Sequence, residues 1–333
     1  MSLNIYIMAN VKSNPQVSII IPCYNEKNYI EAAINSFLNQ NGNIDLEIII
    51  VDGQSNDGTI NIINSIKDNR VRVIDNPNKT TPFALNLGIK NALGDFILIA
   101  GAHSIYPNNL IKTQVSFLKN NSDFSCCGCN LQTIAPDNSA KSQGISHALS
   151  SSYGVGSSHF RTGVNSTKEV DTVAFGLYRK EVFDKVGLFD TQLTRNQDDE
   201  FNARLTKSKF KIALLPNPII KYFGRKELSK LSKMMYQYGL FKPIVNKKIG
   251  SATTIRQFAP PFLVLTLPIS ILPYLLFLLT ALVSNFKKHK RINIAFYFTV
   301  SIVTMHLSYG IGYLIGLTKV TFGKNKYAVS SSR

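Results

Sequence analysis

The chain has 333 residues, 44% of them hydrophobic and 17% charged, enough for one large domain with an appendage and incompatible with an intrinsically disordered protein. A formal net charge of +17 raises nucleic acid as a partner, but the excess is confined to one end. Residues 1–204 hold 17 Lys/Arg against 19 Asp/Glu, residues 205–333 hold 20 against the single Glu227, and these cations flank apolar stretches rather than an aromatic groove, which argues against nucleic-acid binding.

Taken in chain order, Met1 to Pro15 lacks the basic start and continuous apolar core of a secretory signal, so the domain that follows is expected to stay cytosolic. From residue 17 to 130, short apolar runs alternate with helical spacing. Val17 to Ile21, Leu46 to Val51, Val71 to Ile74 and Asp95 to Ala100 read as strands. Tyr29 to Asn39, Thr59 to Lys67, Pro82 to Leu93 and Asn108 to Leu118 read as helices between them. Such alternation predicts an α/β fold, with a mainly parallel sheet carrying helices on its faces. Ligands of these sheets bind outside the carboxyl ends of the strands, where Pro22 to Glu26, Asp52 to Asp57 and Gly101 to His103 fall.

Cys23, Cys126, Cys127 and Cys129 suit a reducing compartment. The Cys-Cys-Gly-Cys cluster lacks a second half at zinc-ligand spacing and reads as buried strand cysteines. Residues 141–169 are rich in Ser and Gly and predict a long irregular loop that closes over a ligand. Beyond it come a strand over Thr172 to Tyr178, an acidic helix from about Asp198, a strand over Lys211 to Leu215 and a basic amphipathic helix over Lys226 to Tyr238.

No residue is charged from Gln257 to Asn285 or from Ile292 to Thr318, and roughly 20 apolar residues suffice to cross a bilayer. The linker Phe286-Lys-Lys-His-Lys-Arg291 favours the cytoplasmic side, whereas two full spans would put it on the other. Pro260, Pro261, Pro268 and Pro273 leave open a re-entrant or in-plane pair of helices. The resulting division is an N-terminal extension over 1–16, a catalytic domain over 17–225, a basic juxtamembrane segment over 226–256, two hydrophobic segments within 257–318 and a basic tail over 319–333.

Several residues carry chemistry. Asp52 ends a strand where no helix begins, and a carboxylate there accepts hydrogen bonds from a nucleobase imide or ribose hydroxyl. Asp57, just before Thr59, reads as a helix cap. Lys79, Arg161 and Arg225 are cations able to help a leaving diphosphate, with Arg161 singled out by its place in the Ser/Gly-rich segment.

The motifs Val17-Ser-Ile-Ile-Ile-Pro-Cys-Tyr-Asn-Glu26, Val51-Asp-Gly-Gln-Ser-Asn-Asp-Gly-Thr59, Ala84-Leu-Asn-Leu-Gly-Ile89 and Gln197-Asp-Asp-Glu-Phe-Asn-Ala-Arg204 together resemble family 2 glycosyltransferases of the GT-A fold. Tyr153-Gly-Val-Gly156, Asp171-Thr-Val173, Arg195-Asn-Gln-Asp-Asp-Glu200 and Gln237-Tyr-Gly239 narrow the resemblance to bacterial exopolysaccharide transferases of the succinoglycan type. It covers roughly residues 17–245.

This resemblance implies a Rossmann-like mixed sheet with a hydrophobic C-terminal membrane segment, a nucleotide-diphosphate sugar donor and inversion at the anomeric carbon. It also implies a lipid-linked oligosaccharide acceptor in surface polysaccharide assembly, at the inner membrane with the catalytic domain facing the cytoplasm. Asp198 falls on the catalytic base position. Donor contacts fall on Pro22, Tyr24, Glu26, Asp52, Lys79, Ala102 and Arg161. His103 falls on a metal-ligand position, for Mn²⁺ or Mg²⁺. Relatives carry an acid two residues before it, where this chain has Gly101. That departure supports an alternative, a catalytically impaired relative that binds a nucleotide sugar or scaffolds an assembly.

Overall fold

A computed structural model describes residues 15–323, so the reading of the extreme N-terminus and most of the basic tail lie outside the described residues. The first half of the chain contains strands β1 (Val17–Cys23), β2 (Leu46–Asp52), β3 (Val71–Asp75), β4 (Phe96–Ile99), β5 (Ser104–Ile105) and β6 (Phe124–Ile134). Between them run helices α1 (Ile30–Leu38), α2 (Thr59–Ser65), α3 (Thr81–Asn91) and α4 (Leu110–Asn120). Next come α5 (Ala140–Leu149), α6 (Ser152–Val155), α7 (His159–Thr162), β7 (Lys168–Val170), β8 (Leu177–Arg179), α8 (Glu181–Val186), α9 (Gln197–Lys207) and β9 (Lys211–Phe223). The chain closes with α10 (Leu228–Ile249), a 3-10 turn at Ile255–Phe258, α11 (Ala259–His289) and α12 (Ile292–Phe322).

The sheet has nine strands in the order β3-β2-β1-β4-β8-β6-β9-β5, with β7 on β9. Its β3-β2-β1-β4 half is parallel, and β8 runs antiparallel to both β4 and β6. The β-branched runs of β1 and β2 explain their central place. Ile19, Ile20, Ile21, Ile48, Ile49 and Ile50 are fully buried, as expected for parallel strands covered on both faces. Each buried isoleucine is worth about 1.5–3 kcal/mol. Pro22 is tolerated within β1 because pairing with β4 ends at Ile20↔Ile99, so no partner there needs its missing N–H.

Two compact units result. One contains Met1–Asn130, Val164–Thr191 and Arg204–Ile220, and holds most of the sheet. The other gathers Leu131–Gly163, Gln192–Ala203 and Lys221–Arg333. Units therefore do not divide linearly at residue 225, because two inserted segments pack with the C-terminal helices.

Within the second unit, the stretch expected to be an irregular loop is largely helical. Ser139 caps α5 by accepting from the Ser142 N–H at 3.2 Å. Ile145, Ala148 and Leu149 then share a buried cluster with Phe298, Ile302 and Met305 of α12. Serine and glycine mask this helix in the sequence, since its apolar stripe has meaning only against a remote partner. The basic helix is also longer than its apolar spacing indicated, running to Ile249 before Gly250 adopts a left-handed φ of 71°. Helices α10 and α12 run side by side in the same direction. Ser232 meets Ser308 at 2.8 Å, Gly312 faces the Tyr236 carbonyl and Gly316 the Leu240 carbonyl. A Cβ at Gly316 would come within 2.3 Å of that carbonyl oxygen, so only glycine permits this approach.

The four cysteines are free and buried, as expected for strand residues. Burial pushes the Cys129 thiol up to about 12, which leaves it protonated and inert.

Candidate active site

In the first unit, the ends of β1, β2 and β4 are held in register, with Cys23 opposite Asp52 and Ile20 opposite Ile99. The turns leaving them are cross-linked by polar contacts. Asp52 accepts from the Ser55 hydroxyl at 2.6 Å and the Ser55 N–H at 2.8 Å, while Ser55 Oγ accepts from the Asn25 N–H at 2.8 Å. Asp57 stands one residue before Gly58, the N-cap of α2, and accepts from the Thr59 N–H at 3.0 Å, while the Thr59 hydroxyl oxygen accepts from the Glu26 N–H at 2.9 Å. Asn25, Gln54 and Lys79 all have positive φ, so these loops are strained into one arrangement.

The structure brings together the residues picked from these strand ends. Gly53, next to Asp52, lies against the backbone of Lys79 and the ring of Tyr24, where a Cβ would sit 3.3 Å and 3.4 Å from them. His103 Nδ1 is 3.5 Å from Glu26 Oε1, and the His103 and Tyr29 rings meet edge-on at 6.4 Å. Ala102 is buried beside them in the chain. Sequence reasoning passed over Asn76 and Thr80. Asn76 Oδ1 and Thr80 Oγ1 are buried without a hydrogen-bond partner, in the loop after β3 that also carries Lys79. An asparagine one residue past a strand end, with Asp75 in register with Asp52, was the available signal.

Position 101 is closed to any side chain. The Phe175 ring occupies the space a Cβ would need, with Cε1 at 2.8 Å, and Phe175 itself has a φ of 53°. Tyr106 stabilises the Gly101 backbone from below: its hydroxyl accepts from the Gly101 N–H at 2.6 Å and donates to the Gly101 carbonyl at 3.1 Å. Among the described residues no group of three or more His, Cys, Asp and Glu forms a cage for a metal ion. The imidazole of His103 beside the Glu26 carboxylate fits instead an ion that takes its remaining ligands from diphosphate oxygens and water.

In the second unit, Asn196 (φ 57°) breaks the chain just ahead of α9, and its side-chain amide donates to the Tyr238 carbonyl at 3.0 Å. Arg195 donates to Gln237 at 2.9 Å, and Lys242 donates to Asp199 at 2.7 Å. These contacts seat the acidic start of α9 on α10. Burial and the neighbouring Asp199 charge raise Asp198 to about 6, against a smaller lowering by backbone N–H groups and Lys242. Arg161 lies over the rings of Phe160 and Tyr222 at 5.4 Å and 5.6 Å, and its Nη1 is buried without a hydrogen-bond partner. Burial raises the Tyr238 hydroxyl, which also feels the charges of Arg161, Arg195 and Asp198, so these groups share one neighbourhood. Arg204, by contrast, is structural: it donates to the carbonyls of Val186 and Leu188 at 2.5 Å and 2.7 Å.

Comparison with known proteins accords with this geometry. The model of "Glycosyl transferase family 2" matches residues 18–187. The chain is 32% identical over 273 residues to a dolichyl N-acetyl-alpha-D-glucosaminyl phosphate 3-beta-D-2,3-diacetamido-2,3-dideoxy-beta-D-glucuronosyltransferase of Methanococcus voltae, covering 79% of this chain and 83% of that protein. It is 29% identical over 250 residues to the succinoglycan biosynthesis protein ExoA of Rhizobium meliloti (strain 1021), covering 73% of each. Among solved structures, a mannosyltransferase from Pyrobaculum calidifontis in complex with GDP-Man and Mn²⁺ superposes with a TM-score of 0.54 at 16% identity, covering 89% of this chain and 88% of that one. TarS of S. aureus in complex with UDP-GlcNAc gives 0.51 at 13% identity, covering 90% of each. The mixed sheet is that of the GT-A fold, and the chain belongs to glycosyl transferase family 2.

Proposed function

We propose that this protein is an inverting glycosyltransferase that moves a sugar from a nucleotide-diphosphate donor to a lipid-linked saccharide at the inner membrane, with its catalytic units facing the cytoplasm. The observation that carries the reading is Asp198, a carboxylate at the start of α9 raised to about 6 and therefore ionised at neutral pH yet basic enough to accept a proton.

In this reading Asp52, Tyr24, Lys79, Pro22 and Ala102 surround the donor nucleotide, and the orphaned Asn76 Oδ1 and Thr80 Oγ1 gain partners from it. A divalent cation, Mn²⁺ or Mg²⁺, bound at His103 beside Glu26 would offset charge on the leaving diphosphate. Asp198 takes the proton of the acceptor hydroxyl as its oxygen bonds to the anomeric carbon. The bond from that carbon to the diphosphate breaks, and the electron pair leaves with the nucleoside diphosphate. A single displacement of this kind inverts the anomeric configuration. The unpaired Arg161 Nη1 supplies a cation for phosphate oxygens.

The relatives support the substrate classes proposed. One is named for a dolichyl phosphate-linked sugar acceptor and another for succinoglycan biosynthesis, and the solved mannosyltransferase and TarS were captured with GDP-Man and UDP-GlcNAc. The filled space at Gly101 favours a second reading, a nucleotide-sugar binder without turnover. One experiment separates them: nucleotide release from UDP-, GDP- and dTDP-sugars with a lipid-linked acceptor extract, with and without Mn²⁺, in wild type and Asp198→Asn. Acceptor-dependent release lost in the variant supports transfer. Nucleotide binding without release from any donor overturns it.

A further inference from the structure

How the two apolar helices meet a bilayer is decided by what holds their ends. Before α11 begins, Arg256 donates to the carbonyl of Ser157 and, at 3.3 Å, to its hydroxyl. Where α11 ends, His289 stacks on His147 with centroids 4.0 Å apart, and the Asn285 amide nitrogen is 3.2 Å from His147 Nδ1. Between these anchors Tyr153 packs on Phe277 at 5.3 Å. Residues 147–157 therefore meet α11 at its last turn, at Phe277 and just before its first turn.

That companion segment is polar and broken, with Ser150, Ser151, Ser152 and Ser157 and only the four-residue helix α6. Irregular backbone of this kind has no place at hydrocarbon depth beside lipid. Helix α12 is similarly accompanied. Residues 297–305 lie against α5 and α6, and residues 308–320 against α10 from Ser232 to Lys247. Along that length α10 carries Lys242 with its partner Asp199, charges that a crossing hairpin would draw into the membrane.

The larger apolar face left for lipid is the outer face of α11, with Phe296, Ile311 and Leu317 of α12 also exposed. Phe262, Leu265, Ile269, Leu272 and Leu276 are each at least 65% exposed, and only 6% of the helix's most apolar stretch is buried, against 39% for α12. The 31 residues of α11 exceed the roughly 20 needed to cross a hydrocarbon core, and Pro268 and Pro273 interrupt its hydrogen-bond ladder. Cations stand at both ends, Arg256 at one and Lys287, Lys288, Lys290 and Arg291 at the other, where an in-plane helix meets anionic headgroups.

We propose that α11 and α12 form an in-plane anchor in one leaflet of an anionic bilayer, with the outer face of α11 in the acyl layer and the turn 287–291 on the same side of the membrane as the rest of the chain. This rests on the membrane attachment proposed above. The test uses the full chain in oriented membrane vesicles, with Ser251→Cys or Lys288→Cys probed by a membrane-impermeant maleimide, the native cysteines being buried. Labelling of both positions from the same face is expected; labelling from opposite faces overturns the proposal. Nitroxides at Leu265, Leu272 and Leu279 give a second measurement. Equal immersion depth supports an in-plane helix, and a maximum at Leu272 overturns it. Failure of the full chain to float with phosphatidylglycerol vesicles would sink membrane attachment itself, a result distinct from flotation with opposite-face labelling.

Discussion

Lys242 Nζ lies 2.7 Å from Asp199 Oδ2, with side chains 9% and 27% exposed, and this ion pair stands next to the carboxylate of Asp198. The pair neutralises one of two adjacent acids, leaving Asp198 as the one whose proton affinity is raised. A helix start that resembles a simple acidic cap in sequence is thereby divided into a carboxylate paired with Lys242 and one, Asp198, with raised proton affinity.

Asp198→Asn is expected to lower kcat by about 10² to 10⁴-fold while leaving donor binding intact. Wild-type kcat/KM is expected to fall as pH drops through about 6, where Asp198 takes up its proton. The sign for stability is the opposite of the usual carboxylate. The folded value lies above the ordinary 3.8, so the native state binds the proton more tightly than the unfolded chain. The ionised group costs nothing below the ordinary value and its full penalty above about 6. Asp198→Asn is therefore expected to raise the unfolding temperature at pH 8 and to leave it unchanged near pH 4.

Lys242→Met removes the partner of Asp199 and a charge that lowers Asp198. The acid limb of the pH profile is expected to move to higher pH. Stability is expected to fall by about 2 kcal/mol, below the range for a fully buried pair because Asp199 is partly exposed. Lys242→Arg should restore most of the profile. An unmoved limb in Lys242→Met would remove Lys242 from the site.

Gly101→Asp alone is expected to destabilise the protein, because its Cβ would meet the Phe175 ring at 2.8 Å. Combined with Phe175→Ala, it places a carboxylate two residues before His103, and Mn²⁺ affinity measured by electron paramagnetic resonance is expected to rise about tenfold, or about 1.4 kcal/mol. Equal affinity in wild type and the double variant would show that position 101 lies outside the metal's reach.

Gly316→Leu is expected to separate α12 from α10, since even a Cβ would meet the Leu240 carbonyl oxygen at 2.3 Å. A loss of about 3 kcal/mol, the upper part of the range for overpacking, should appear in unfolding of the vesicle-bound protein. Activity should fall with it, because α10 carries Lys242.

The strand ends that carry the proposed donor residues were legible from residue order. Apolar runs ending in Pro22, Asp52 and Ala100 marked strand ends, and parallel pairing placed those ends together, so Tyr24, Asp52 and His103 could be picked in advance. Asp198 was picked from its motif, but its raised affinity for protons comes from desolvation and the adjacent Asp199 charge, opposed by Lys242, 44 positions further along. Residues 141–169 were misread, because Ile145, Ala148 and Leu149 form a stripe only once Phe298 and Met305 are there to meet it.

By itself the sequence determined the strand ends, the acidic helix start, the two apolar helices and the cations beside them, all of which follow from local periodicity and backbone preference. Only the tertiary structure decided that Phe175 fills the space at Gly101, that Lys242 pairs with Asp199, and that His147 holds the turn after α11. Those contacts join residues 43 to 142 positions apart, and a pairing at such separation depends on how whole elements pack rather than on any pattern within one of them.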